Sequence, residues 1–248
     1  HQAADAHTTA VIEPLQIDGD AHALDIRVES ANKSGWFGLG GDDEMNPTEL
    51  DVHVPHAASL EVHVVSAPVA VDGVDGARLG VHTVSGRVHL GVRVGAVTVG
   101  SVSGDVDLTG SARDFVVETV SGDVQAATVG ESATAQTVSG DVLLHGGALR
   151  RLGLGTVSGK LQLDAAIAPE ASWKVDSMSG DVRIGLPADA SARIKADTFS
   201  GDLHTDFARP ASSEHGPGQH LNATLGNGSA TITVNSFSGD VRIERGSH

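Results

Sequence analysis

Cysteine is missing from all 248 residues. That excludes a disulfide scaffold, a thiolate zinc site and a cysteine nucleophile, and it leaves the redox compartment open. Basic residues are scarce, with 16 Lys and Arg against 32 Asp and Glu, so the net charge is −16. A field of that sign repels phosphate, which argues against nucleic acid and anionic membranes as partners and favours cations and neutral surfaces. Long apolar runs are lacking too: no stretch reaches 18 residues, so no membrane-spanning helix is expected. No cleavable leader is legible. The start at His1 rather than Met reads as a trimmed mature chain or one produced without its leader, and Arg245-Gly246-Ser247-His248 reads as the start of a histidine-tag linker.

What is present is order and repetition. The 40% hydrophobic content rises to about 52% once the 31 Gly are counted, too much for wholesale disorder. Ser-Gly steps recur at Ser85, Ser103, Ser121, Ser139, Ser158, Ser179, Ser200 and Ser238, at intervals of 18, 18, 18, 19, 21, 21 and 38 residues. The last interval fits two rungs with an excursion between them, and Val65 to Val69 reads as a degenerate first member. Within each unit apolar residues alternate with polar ones, as in Val106 and Leu108 around Asp107 or Val182 and Ile184 around Arg183. Period two with Val, Ile and Thr enrichment denotes strands with one inward face. Units this short cannot enclose a core alone, so they must stack. The fold expected is all-β: a right-handed parallel β-solenoid, β-helix-like, with about 18–21 residues per rung.

The alternation breaks at each Ser-Gly step, which places a corner there. Gly supplies conformations that other residues resist, and Ser bonds locally to the backbone. The residue before each Ser-Gly forms a column of Val84, Val102, Val120, Val138, Val157, Met178, Phe199 and Phe237. Burial of such a stripe is worth ~1.5–3 kcal/mol per side chain, so it is expected in the core. Exposed, it would be a docking strip.

Four segments follow: an N-terminal extension over 1–16, a strand and capping loop over 17–48, solenoid repeats over 49–244 with an irregular excursion at 208–219, and the tag remnant at 245–248. Leu24–Val28 is expected as a strand, and Leu50–Val54 and Leu60–Val64 as a pair of alternating strands around Pro55.

Together, the recurrent Thr-Val-Ser-Gly-Asp-Val, the loop Ser34–Gly41 leading into Pro47–Val52, and the closing Gly216-Pro217-Gly218 followed by Phe237–Asp240 carry a resemblance. From about Ile17 to Glu244 the chain resembles a bacterial adhesin family of β-strand repeat proteins, a Ser-Gly-Asp-repeat domain without assigned activity. The resemblance implies an exported protein of the cell envelope, periplasmic or at the cell surface, with no catalytic residues to carry over. Arg87 and Lys160 stand where two repeats would have Asp, which counts against one uniform acidic site.

Three constellations bear on chemistry. The acidic column Asp105, Asp123, Asp141, Asp181, Asp202 and Asp240 would place carboxylates at the ~4.8 Å strand spacing, where a hard cation such as Ca²⁺ relieves repulsion. One side chain per rung supplies few converging oxygens, so solvated turn residues are the expectation. Asp51, His53, Glu61 and His63 alternate with the apolar face of two strands; paired in register, they would share one surface as a two-histidine, carboxylate metal site such as zinc requires. His recurs at other outward positions, so a polar face is expected instead. Trp36 and Phe37 are the clustered aromatics of a chain with 3% aromatic content. They are a candidate ligand-binding pair for a sugar or a partner, or else a plug for the solenoid's end.

No cofactor is expected, since Gly38-Leu39-Gly40-Gly41 lacks the Lys and βαβ setting of a phosphate loop. Rungs of this length leave no spare chain for cleft-walling loops, and no Gly-x-Ser-x-Gly elbow is present. The expected function is a non-enzymatic envelope scaffold or adhesive surface for a polysaccharide or protein partner. The alternatives are a carbohydrate-active β-helix enzyme, imitated by Asp123 with Asp141, and a filament unit self-assembled end to end, a homo-oligomer.

Overall fold

The computed structural model describes residues 5–8, 15–19, 24–28, 50–212 and 218–246, the first three segments as backbone strands. The chain forms two compact units, residues 1–55 and 56–248. In the first, Leu15–Gly19 pairs antiparallel with Leu24–Val28, and Asp5–Thr8 pairs antiparallel with Leu50–His53. The second is a parallel β-solenoid, and no helix occurs among the described residues. Its first strand is Leu60–Ser66, which pairs parallel with Arg78–Ser85. Both expected alternating strands are present, Leu50–His53 with Asp5–Thr8 as its partner and Leu60–Ser66 with Arg78–Ser85.

Rungs follow in sequence order through Arg93–Ser103, Ser111–Thr119, Val124–Thr137, Val142–Thr156 and Leu161–Ser177. The register matches equivalent residues: Val106 lies between Val88 and Val124, and Leu108 between Leu90 and Ala126. Alternation thus becomes columns, and Val88, Val106, Val124, Val142, Leu161 and Val182 are all buried. Each such side chain contributes on the order of 1.5–3 kcal/mol. Trp173, the largest core residue, donates from Nε1–H to the Leu149 carbonyl at 3.1 Å, which pairs its one polar atom.

The last turns depart from sequence order. Leu161–Ser177 is followed in space by Ala230–Ser236, which lies parallel to it and to Ala192–Thr198 on its other side. Val241–Arg245 likewise sits between Val182–Leu186 and Leu203–Thr205. The 38-residue interval, expected as two rungs in order, is a return of the chain that inserts its final rung between two earlier ones. The excursion contributes structure as well: Gln219–Thr224 lies antiparallel on Ala192–Thr198, with Ala211–Ser212 beside it. An antiparallel strand laid on a parallel stack covers its open edge.

Candidate functional site

Each rung of the solenoid bends at its Ser-Gly step, and the bend decides which residues face out. The inward slot before it is filled by a hydroxyl, at Thr83, Ser101, Thr119, Thr137, Thr156, Ser177, Ser236 and Thr198 in spatial order, all of them buried. At five of these positions the hydroxyl bonds back into the turn, while those of Thr119, Thr137 and Thr156 are buried without a hydrogen-bond partner among the described residues. Ser177 Oγ donates to the Gly180 carbonyl at 2.7 Å and accepts from the Gly180 N–H at 3.0 Å, and Ser236 and Thr198 donate to the carbonyls of Gly239 and Gly201. Strand parity then turns the next residue outward.

That residue is the apolar column. Expected in the core, it is exposed from Val84 to Phe199, between 42% at Val157 and 58% at Met178. The physical reason is the hydroxyl column, which occupies the inward position at the corner and leaves the apolar residue no slot. Backbone hydrogen bonds hold the strip in register: Ser121 N–H donates to Val102 O, Ser139 to Val120 O, Ser158 to Val138 O and Ser179 to Val157 O. At one end the inserted rung sets Phe237 between Met178 and Phe199. The Phe199 and Phe237 rings stack with centroids 4.9 Å apart and planes within 7°. Eight exposed apolar side chains thus make one continuous strip, with the aromatics at one end.

The glycines of the column serve close approach rather than an unusual conformation. Of these glycines, positive φ occurs at Gly86 (127°). At Gly122, Gly140 and Gly159 a Cβ would collide with the carbonyl of the glycine one rung back. Stacking at the corner therefore demands Gly for space.

Beside the strip runs the aspartate column, and five of its six carboxylates are engaged. Asp105 Oδ1 accepts the backbone N–H of Asp123 at 3.2 Å, Asp123 that of Asp141 at 2.9 Å, and Asp141 that of Lys160 at 2.8 Å. Asp181 and Asp240 do the same for Asp240 and Asp202, at 3.1 and 3.0 Å. Each carboxylate satisfies an amide that the bend leaves without a ladder partner. Arg87 pairs with Asp105 at 3.4 Å. On the strip's other side lie Glu118, Asp176 and Asp197. Burial acting alone would raise Asp176, but hydrogen bonds from Lys174 and Asn235, and the Lys174 charge, hold its carboxyl below its ordinary value.

Asp51 and His53 lie on the strand paired with Asp5–Thr8, His53 Nε2 being 3.6 Å from Asp51 Oδ2. Glu61 and His63 lie on the solenoid's first strand, and their neighbour is His82, which the sequence reading left aside. Glu61 Oε1 is 3.6 Å from His63 Nε2 and 3.2 Å from His82 Nε2, and the two imidazoles stack at 5.0 Å. Among the described residues no group of three or more His, Asp or Glu is placed to hold a metal ion. Trp36 and Phe37 lie outside the described residues.

With the stacked corners and buried columns in view, comparison with known families is decisive: the family described as Toastrack DUF4097 matches residues 16–244. The chain belongs to the Toastrack family. No curated protein and no solved structure matches it. The Toastrack match spans both compact units and every rung of the solenoid, including the inserted one. A Toastrack domain carries no assigned activity in its description, so function has to be argued from the surface just described.

Proposed function

We propose that this Toastrack chain is a non-enzymatic binding scaffold whose docking surface is the exposed apolar strip from Val84 to Phe199. The strip itself carries the reading. Apolar side chains exposed in a continuous line mark interaction sites, because single exposed apolar residues are ordinary and aligned ones are not. A solenoid multiplies one weak contact along its length, which suits avid attachment to a long partner. The adhesive, exported role implied by the family resemblance fits such a surface. The carbohydrate-active alternative is less well supported, since Asp123 and Asp141 spend their carboxylates on backbone amides rather than converging on a cleft.

The test is an array of envelope polysaccharides and envelope proteins probed with the intact chain and with Val120→Ser/Val138→Ser/Val157→Ser. Binding that disappears in the triple variant is the expected result. Hits that all survive the substitutions would place the function elsewhere, and release of reducing ends from any polysaccharide would overturn the non-enzymatic assignment.

A further inference from the structure

Resting on the docking reading, we infer that the strip's occupant is a cationic amphipathic helix of a partner protein, laid lengthwise along the solenoid. Three features of the strip lead there, namely its period, its width and its flanks.

The period selects a helix. Successive strip residues belong to adjacent parallel rungs, so they recur at about 4.8 Å, and seven steps make a ridge of about 34 Å. Side chains on one face of a helix recur every turn, about 5.4 Å, so several turns stay in step with the rungs. An extended peptide presents same-face side chains every ~6.6–6.8 Å and falls out of step after two rungs. A helix of about 22 residues, at 1.5 Å each, covers the whole ridge.

The width selects an amphipathic helix, because the ridge is one side chain across. Ser follows each apolar residue and is half-buried to exposed, and the next outward position in the other direction is polar or Gly, as at Glu118, Gln136 and Asn235. A narrow apolar stripe of the i, i+3, i+4, i+7 kind matches it, and a helix apolar all round would bury its flanks against polar groups.

The flanks select positive charge. On one side stand Asp105, Asp123, Asp141, Asp181, Asp240 and Asp202 against Arg87 and Lys160. All but Asp202 hold a backbone amide through Oδ1, and the column lies along the surface beside the strip. On the other side stands Glu118, with Asp176 and Asp197 balanced by Lys174 at 2.8 Å and Lys195 at 3.5 Å. Lys or Arg beside a helix's apolar stripe would meet carboxylates on the ridge. The same flanks repel a second copy of this chain, which carries −16, and an anionic lipid surface. Flat aromatic faces favour a polysaccharide, and on this strip they are confined to Phe199 and Phe237 at one end.

A designed 22-residue Leu–Lys amphipathic helix is the probe, titrated into the full chain with circular dichroism reporting its helicity. A scrambled peptide of the same composition, a Leu–Glu counterpart and phosphatidylcholine vesicles are the comparison arms. Binding with gain of helicity is expected for Leu–Lys, at least tenfold tighter than for the scramble, and absent for Leu–Glu. Val120→Ser/Val138→Ser/Val157→Ser and, separately, Asp105→Asn/Asp123→Asn/Asp141→Asn should each weaken it at least tenfold, with melting curves confirming that both variants fold. Equal affinity for the scramble, or affinity untouched by the serine variant, overturns the inference, because an acidic chain would then be collecting cations. Inert Leu–Lys beside a serine-sensitive hit of another class, vesicles included, overturns the helix and leaves the scaffold standing. Array hits indifferent to the serines overturn both.

Discussion

The backbone N–H of Asp141 donates to the carboxylate of Asp123 one rung away, at 2.9 Å. The bond gives the aspartate column a structural duty, and that duty separates two substitutions. Asp123→Asn keeps an oxygen acceptor, whereas Asp123→Ala leaves the amide to water. Asp123→Ala should cost about 0.5–1.5 kcal/mol and Asp123→Asn less than half of that, read as urea midpoints. Equal losses would assign the stability to charge rather than to the amide bond.

Space at the corner is the second point. Gly140 faces the Gly122 carbonyl so closely that a Cβ cannot fit, while Gly147 has nothing nearer than the Val129 oxygen at 3.9 Å. Gly140→Ala should therefore destabilise by about 1–3 kcal/mol, the scale of overpacking. That lowers Tm by roughly 2–12 °C for a unit of this size. Gly147→Ala should stay within about 0.5 kcal/mol. A harmless Gly140→Ala would mean that the rungs stand further apart at the bend.

How much of this was legible beforehand varies with the kind of information. The solenoid and its strand columns could be read because Val106, Val124 and Val142 repeat at a fixed interval and alternate with period two. The sequence leaves Val120 two ways to face, inward by its apolar character or outward as a docking strip, and the Thr or Ser just before it in every rung is what turns it outward. The exchange of the last rungs leaves no trace in a repeat count, since Ser200 and Ser238 keep the same motif whichever neighbours they stack on.

The exposed strip separates surface from core by stability. Val120 lies outside, and Leu163 is fully buried. Val120→Ser should change the unfolding free energy by no more than about 0.5 kcal/mol, and Leu163→Ala should lose about 2–5 kcal/mol. A loss of core size at Val120 in denaturant titrations would return the column to the interior and remove the docking surface with it.

Asp176 ties the rung Leu161–Ser177 to the inserted rung, accepting from Asn235 Nδ2 at 2.8 Å and pairing with Lys174 at 2.8 Å. Its carboxyl is held below the ordinary 3.8, so its charged form is favoured by folding. The unfolded chain then binds the proton first as pH falls. The contribution is therefore present above pH ~4 and is lost as pH drops through the folded value. Because Asp176 is half-exposed and Lys174 more so, it amounts to less than about 1 kcal/mol. Urea midpoints should favour wild type over Asp176→Asn at pH 7, with the gap closing below pH ~4. A gap that persists at pH 2.5 would point to packing rather than charge.

Insertion of Ala230–Ser236 between Leu161–Ser177 and Ala192–Thr198 makes the solenoid's end depend on the last residues of the repeat region. In a stack that follows sequence order, removing the final rung would cost one nearest-neighbour interface and leave the rest protected. Here Ala192–Thr198 has its parallel partner only in the inserted strand among the described residues, and Leu203–Thr205 has its own in Val241–Arg245. Ending the chain after Leu225 should therefore expose the amides of residues 192–224 to rapid hydrogen exchange, while those from Arg78 to Thr156 keep their protection. In the intact chain, Ala192–Thr198 and Ala230–Ser236 should exchange as one unit despite their separation in sequence. Continued protection of Ala192–Thr198 in the shortened chain would mean that it can dock directly on Leu161–Ser177, and the exchanged order of the rungs would then be optional rather than built in.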